Sequence, residues 1–150
     1  MCEIETLVEQ LQNRDTKIGC NAMAQLREIS ETSGAVYPYF DRIAQLLTNK
    51  NSYCRNRALA LLAANAKWDT DRRTEAVLPA YLACVQDEKP ITARQCIQNL
   101  PLIAEAKPEL IPAIVQALMA ANPGRYNDSM QPLVERDIQS VLAEITALQR

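Results

Sequence analysis

The chemistry open to this chain is limited first by an absence: the sequence contains no histidine. Ser-His-Asp and Cys-His nucleophile systems therefore cannot be assembled, and His-based metal sites are excluded with them. An all-cysteine zinc site needs clustered thiols. The five cysteines, Cys2, Cys20, Cys54, Cys84 and Cys96, include no Cys-x-x-Cys pair. Their odd number and wide spacing fit reduced thiols in a cytoplasm. Cys20, Cys54, Cys84 and Cys96 fall within helical patterns and read as small core residues. Gly19, Gly34 and Gly124 lie too far apart to form a phosphate-cradling loop. Two carboxylate pairs remain, Asp69/Asp71 and Asp87/Glu88. General acid–base work requires one carboxylate of a pair to sit in a dry pocket. In turn positions such as these, Asp reads instead as a solvated cap or loop charge. This inventory offers no catalytic residue and implies no metal and no cofactor.

Binding is the other use of charged side chains. Between Lys50 and Arg73 stand six basic residues, Lys50, Arg55, Arg57, Lys67, Arg72 and Arg73, against only Asp69 and Asp71. Tyr53 and Trp68 lie among them. Such a patch could follow a nucleic-acid backbone and stack on bases. The competing reading is that Arg55 and Arg57 cover helix surfaces while Trp68 anchors a loop. A formal net charge of -2 favours the second.

The elements that must position these residues come from internal repetition. An apolar residue, a spacer and an Asn or Asp recur as Leu11-Gln12-Asn13, Leu47-Thr48-Asn49, Val85-Gln86-Asp87 and Ala120-Ala121-Asn122, at intervals of 36, 38 and 35 residues. Small or apolar residues spaced by four follow each phrase: Ile18, Ala22, Leu26; Cys54, Ala58, Leu62; Cys96, Leu100; Val134, Ile138, Leu142. Val36-Tyr37-Pro38, Val77-Leu78-Pro79 and Leu110-Ile111-Pro112 open further apolar stretches. Ile4, Leu7, Val8 and Leu11 share one helical face. The spacing predicts four helix pairs: 4–11 with 15–30, 37–48 with 52–66, 75–86 with 91–104, and 108–121 with 129–148. Ser52 is the expected N-cap of the fourth helix. Gly34 sits where a helix C-terminus favours glycine, and Pro108 suits a first turn. Pro101 should kink its helix, because it cannot donate to the carbonyl of Ile97. Period-two alternation is absent, so no strand competes. Ala22, Ala58, Cys96 and Ile138 should face the core.

On these residues the chain resembles the HEAT-repeat family. The second pair carries the resemblance best, with Pro38, Asn49, Cys54-Arg55-Asn56-Arg57-Ala58 and Leu62. The third keeps Pro79 and Asp87 but has Ala93 where the family places arginine; the first has Gly19 there and the fourth Glu135. The family's Asp–Arg ladder between repeats is therefore incomplete in this sequence. The resemblance implies an all-α fold: a right-handed α-α superhelix of about four helical hairpins, forming one domain over residues 1–150. It also implies that the second helices of the pairs line the concave face. Equivalent positions then place Asn21, Arg57, Arg94, Gln95 and Asn99 in one polar groove.

The function that follows is a non-enzymatic scaffold whose partner is another protein, held in that groove, because solenoids commonly bind through their concave surface. Two alternatives stand beside it. One is a nucleic-acid binder similar to HEAT-like DNA glycosylases, using Lys50, Arg55, Lys67, Trp68, Arg72 and Arg73. The other is a structural subunit stacked into a larger assembly. No run of about 18 apolar residues predicts a membrane span. An acidic rather than basic N-terminus argues for the cytoplasm.

Overall fold

The computed structural model describes residues 3–149. Cys2 lies outside them. Within the described residues every regular element is helical: α1 (Glu3–Gln10), α2 (Thr16–Thr32), α3 (Phe40–Ala44), α4 (Ser52–Asn65), α5 (Arg73–Ala83), α6 (Pro90–Ala106), α7 (Ile111–Ala120) and α8 (Gln131–Leu148). Tight 3-10 turns extend α3 on both sides, at Tyr37–Tyr39 and Gln45–Thr48, and lengthen α4, α5 and α7. The eight helices form four consecutive hairpins in a stack. The second helices, α2, α4, α6 and α8, pack directly on one another in chain order, and the shorter first helices cover their other side.

The recurring Asn or Asp has one geometric job. Asn13 Oδ1 accepts from the Asp15 amide at 2.8 Å, Asn49 Oδ1 from Asn51 at 2.8 Å, Asp87 Oδ2 from Lys89 at 2.9 Å and Asn122 Oδ1 from Gly124 at 3.0 Å. This two-residue Asx turn reverses the chain after the first helix of each hairpin. Capping then differs from expectation in detail. Asn51, not Ser52, caps α4, with Oδ1 accepting from the Tyr53 amide at 2.9 Å. Gly34 does not adopt a left-handed conformation; it packs beside the Trp68 indole, where a Cβ would make an ordinary contact at 3.5 Å. Pro101 lies inside α6, which continues past it to Ala106.

The core is a continuous band between the two layers. Ala22, Ala58 and Cys96 are wholly buried and Ile138 is buried. Helix α4 is flanked by α2 and α6 and covered by α3, so even its polar residues Arg55, Arg57 and Asn65 are buried. Cys54, Cys84 and Cys96 belong to the core, where their thiols lie near the carbonyls of Leu11, Ala80 and Tyr81. Burial pushes the Cys84 thiol up to about 11 and Cys96 well above its ordinary value. Cys20 departs from the core reading: it is exposed on α2.

Arg57 explains Gly19. Its guanidinium crosses the α2 backbone and donates to the Leu11 carbonyl at 2.7 Å. A Cβ on Gly19 would collide with the Arg57 guanidinium where it now stands. Alanine in a helix gains up to about 1 kcal/mol over glycine, whereas losing a hydrogen bond from a charged group costs about 1.5–3 kcal/mol. Gly19→Ala should therefore lower stability by roughly 1 kcal/mol in the native background. In an Arg57→Ala background the same change should raise it. Chemical denaturation of the four proteins of this cycle measures the coupling, and additive effects would contradict the contact.

Candidate functional site

The exposed side of the inner layer is where the sequence placed a polar groove, and the structure assembles only part of it. Asn21 is exposed on α2. Arg94 and Gln95 are half-buried on α6. Arg94 pairs with Asp137 of α8, Nε to Oδ2 at 2.6 Å and Nη2 to Oδ1 at 3.4 Å. Gln98 joins the same carboxylate at 3.3 Å. Two residues are not on this surface. Arg57 is 3% exposed and turned into the seam beside α1. Asn99 is buried and donates to the Gln95 carbonyl of its own helix at 2.7 Å. Aligning equivalent positions of the second helices put them in the row, but α4 is flanked by α2 and α6 and covered by α3, so the long arginine runs beneath the surface.

The basic segment from Lys50 to Arg73 does not converge on one patch either. Arg55 is buried and grips Asp87 with two parallel bonds, Nε to Oδ1 at 2.9 Å and Nη2 to Oδ2 at 2.8 Å. Its remaining nitrogen donates to the carbonyls of Asn49 and Lys50. This is one rung of the Asp–Arg type between adjacent hairpins. Lys67 donates to the Glu31 carbonyl at 2.8 Å. Trp68 belongs to the turn that extends α4, and its indole N–H donates to the Ser30 carbonyl at 2.7 Å. Arg73 lies between Asp41 and Asp71, each at 3.6 Å, with its guanidinium over the Tyr37 ring. Arg72 is widely exposed beside Glu75, and Lys50 is exposed at the turn before α4. Arg55 and Arg73 are paired with carboxylates and Arg57 is buried, whereas Lys50, Lys67 and Arg72 stay exposed at separate places.

The carboxylate pair Asp69/Asp71 is split by burial. Asp71 is exposed, but the Asp69 side chain is fully enclosed. Its Oδ1 accepts from the Tyr37 hydroxyl at 2.6 Å and from the amides of Asp71 and Arg73; its Oδ2 accepts from the Thr74 amide at 2.8 Å. The Lys107 ammonium sits 3.4 Å from Oδ2 and 3.2 Å from Glu75 Oε1. Asp69 thus caps α5 and joins the second, third and fourth hairpins. Burial alone would raise its pKa, but the bonds from Tyr37, Thr74 and Arg73 outweigh that and hold the carboxyl well below the usual range. Burial and the same carboxylate push the Tyr37 hydroxyl upward. No dry acid–base pair results, because Asp69 is held ionised by donors that fix structure. Among the described residues no three thiols or carboxylates converge as a metal-binding group.

A feature that the periodicity did not isolate is a groove of about 480 Å³ across the C-terminal ends of α2, α4 and α6. Arg27 and Glu31 form its α2 wall, Leu102 and Glu105 its α6 wall, and Ala63 and Ala64 its floor. No sequence signal isolates it, because its walls and floor come from three helices; Leu102 on the α6 wall is 41% exposed.

The Asp69 cluster sets an acid dependence. Its folded pKa is depressed, so its contribution is present in full above the unfolded value of about 3.9 and is lost as pH falls through the folded value. Asp69→Asn should cost about 3–5 kcal/mol near neutral pH, because it leaves Lys107 under-compensated in a buried site. Thermal melts of the two proteins should converge as the pH is lowered from about 4 towards 2. Parallel melting curves across that range would refute the assignment.

Comparison with known proteins adds the following. A structure search matches the chain to the crystal structure of an engineered protein from the Northeast Structural Genomics Consortium, with a TM-score of 0.64 and 22% identity over 97% of this chain. The chain spans 63% of that protein's length, and at this identity the likeness speaks to fold alone. No curated protein sequence matches. The family model of the Integrator complex subunit 1, R4 domain, matches residues 4–120. That match runs from α1 to the end of α7, through the Asx turns, the Arg55–Asp87 rung and the Asp69 cluster, and the chain belongs to the Integrator complex subunit 1 R4-domain family.

Proposed function

We propose that the chain is a non-enzymatic scaffold module that works inside a protein assembly and holds a partner protein through the concave face of its HEAT-type stack. The observation that carries this reading is the division of labour among its polar residues. Those along the two loop edges are consumed in joining hairpins, as with Arg55–Asp87 and Lys107–Asp69–Tyr37. Those along the exposed side of α2 and α6, such as Asn21 and Gln95, keep side chains free of such duties. The family to which the chain belongs is named for a domain of a complex subunit, which supports an assembly role and fits the structural-subunit alternative. Among the described residues no helix is long and apolar enough to cross a membrane. Solenoids bury continuous cores between repeats and present the leftover helix faces to partners.

The test uses residues that the structure leaves exposed, since Arg57 and Asn99 would report on folding instead. The chain, tagged and expressed in its native host, should co-purify with a defined partner. Cross-links from that partner should fall on α2, α4, α6 and α8. Asn21→Arg together with Gln95→Arg should weaken the association at least about tenfold, in line with charges placed in a desolvated contact, with the thermal midpoint unchanged. Cross-links confined to the outer layer of first helices would reject the concave face as the binding surface.

A further inference from the structure

Apolar residues at the two open sides of the stack stand at positions that its interior buries. Each inner hairpin turns one side to the hairpin before it and one to the hairpin after. On α4 the first side is marked by Cys54 and Asn65, which bond to the Leu11 carbonyl and the Ser30 hydroxyl of the first hairpin. The second side is marked by Arg55, which grips Asp87 in the turn of the third hairpin. Ile18 and Ile29 of α2 stand 36 residues before Cys54 and Asn65, on a side that no other hairpin of the described residues covers. Ile18 is 39% exposed, although Cys54, Thr92 and Val134 at the same position are all buried. At the other end α7 and α8 bound a groove of about 400 Å³ whose lining includes Met119, Glu135, Gln139 and Leu142. Met119, three residues before Asn122, is 73% exposed; Leu46 and Cys84, three before Asn49 and Asp87, are buried. Leu142 is half-buried, whereas Leu26, Leu62 and Leu100 at its position are buried. A terminal repeat finished only against water presents a polar outer face, and these two sides do not.

We propose that the chain associates head to tail with further copies of itself, the open side of α1 and α2 in one copy seating on the α7–α8 groove of the next. The seam between copies continues the seams between hairpins. Charge selects this occupant. Glu135 is the one charged residue lining the groove, and it holds the position from which Arg55 reaches the turn of the following hairpin. It is exposed and, among the described residues, takes part in no ion pair. A hairpin seated there must bring a cation in its turn, where the third hairpin brings Asp87. The first hairpin does so: Arg14 follows the turn residue Asn13, and Lys17 lies in the first turn of α2. Both are exposed and, among the described residues, in no ion pair. Asp15 between them is engaged with the Lys17 amide as the α2 cap, and Glu5 and Glu9 of α1 are answered by Arg42. The apolar contacts fall in register with the charges. Cys54 sits against Leu11, whose equivalent in the fourth hairpin is Ala120, next to Met119; Ile18 of an incoming copy comes to the same place. Gln139 stands where Leu59 and Ile97 are wholly buried, so this seam is wetter than those inside the chain and the contact is reversible. The two joined faces differ, so copies add without closing at two. The inference does not rest on the concave face.

Sedimentation velocity of the whole chain from about 1 μM to about 1 mM tests this. The weight-average mass should rise with concentration and pass that of two copies. Met119→Arg with Glu135→Arg blocks one end, and Arg14→Glu with Lys17→Glu blocks the other. Each pair should weaken association at least about tenfold. The thermal midpoint should stay unchanged, since all four side chains are exposed; loss of association is then not loss of fold. Mixed in equal amounts, the two variants should associate again, because each supplies the end that the other lacks. A mass equal to one copy at every concentration would overturn the proposal. So would a mass that levels off at two copies, association indifferent to either variant, or a mixture no heavier than its components. A chain that stays monomeric while a different protein cross-links to α7 and α8 would give the groove to that protein and reject self-association.

Discussion

Each helix leaves its last carbonyls without partners inside the helix, and in a stack of short helices those orphaned groups are numerous. In this protein the neighbouring hairpin supplies the donors. Leu11 receives Arg57, Ser30 receives Trp68, Glu31 receives Lys67, Asp69 receives Lys107, and Asp87 receives the Tyr126 hydroxyl at 2.6 Å. Arg125 reaches the Gln86 carbonyl in the same way. Unpaired carbonyls near the core would each cost on the order of 1–3 kcal/mol, so these side chains set how closely successive hairpins dock and in what register. The apolar band between the layers can close only because this accounting closes at its two edges.

Several other properties follow from that constraint. The donors are mostly Arg, Lys, Tyr and Trp, which are also the residue types that build nucleic-acid surfaces. Here many of them are bonded to carbonyls and to Asp69 and Asp87, so residues that are neighbours in the sequence are divided between seams and surface. The constraint also explains a buried arginine in a helix of small residues. Arg57 needs a path across α2, and Gly19 leaves that path open at the cost of some helix propensity. The acidic hub at Asp69 has the same logic at larger scale: one enclosed carboxylate satisfies the α5 amides, the Tyr37 hydroxyl and Lys107 together. Its ionisation is structural, because every group facing it is a donor.

What is left over defines the candidate surface. Once both loop edges and the core are satisfied, the exposed side of the second helices retains Asn21, Gln95, Leu102, Glu31 and Glu105. Arg94 stays partly available, though Asp137 holds it. The surface is polar with a small apolar floor, and its charges at the C-terminal ends are unpaired. Cys20, exposed on the same helix as Asn21, places a reporter position for labelling on that face.

The sequence by itself determined the all-helical class, the four hairpins and nearly all their limits, since these depend on apolar spacing and on Asn or Asp at fixed intervals. Asn13, Asn49, Asp87 and Asn122 were legible because an Asx turn is local: its donor and acceptor lie two residues apart. The burial of Ala22, Ala58, Cys96 and Ile138 was legible for a similar reason, being set by one helical period. The fates of Arg55, Arg57, Asn99 and Asp69 were not. Their partners lie on other helices or depend on how completely a helix is enclosed, and a row of equivalent positions does not say whether a long side chain points up from the surface or down into a seam. Ser52 shows the smaller version of the same limit, where the neighbouring Asn51 takes the cap. The groove across α2, α4 and α6 exists only after three helices separated by tens of residues have been brought side by side, because its walls and floor come from different hairpins and their relative height is a property of packing.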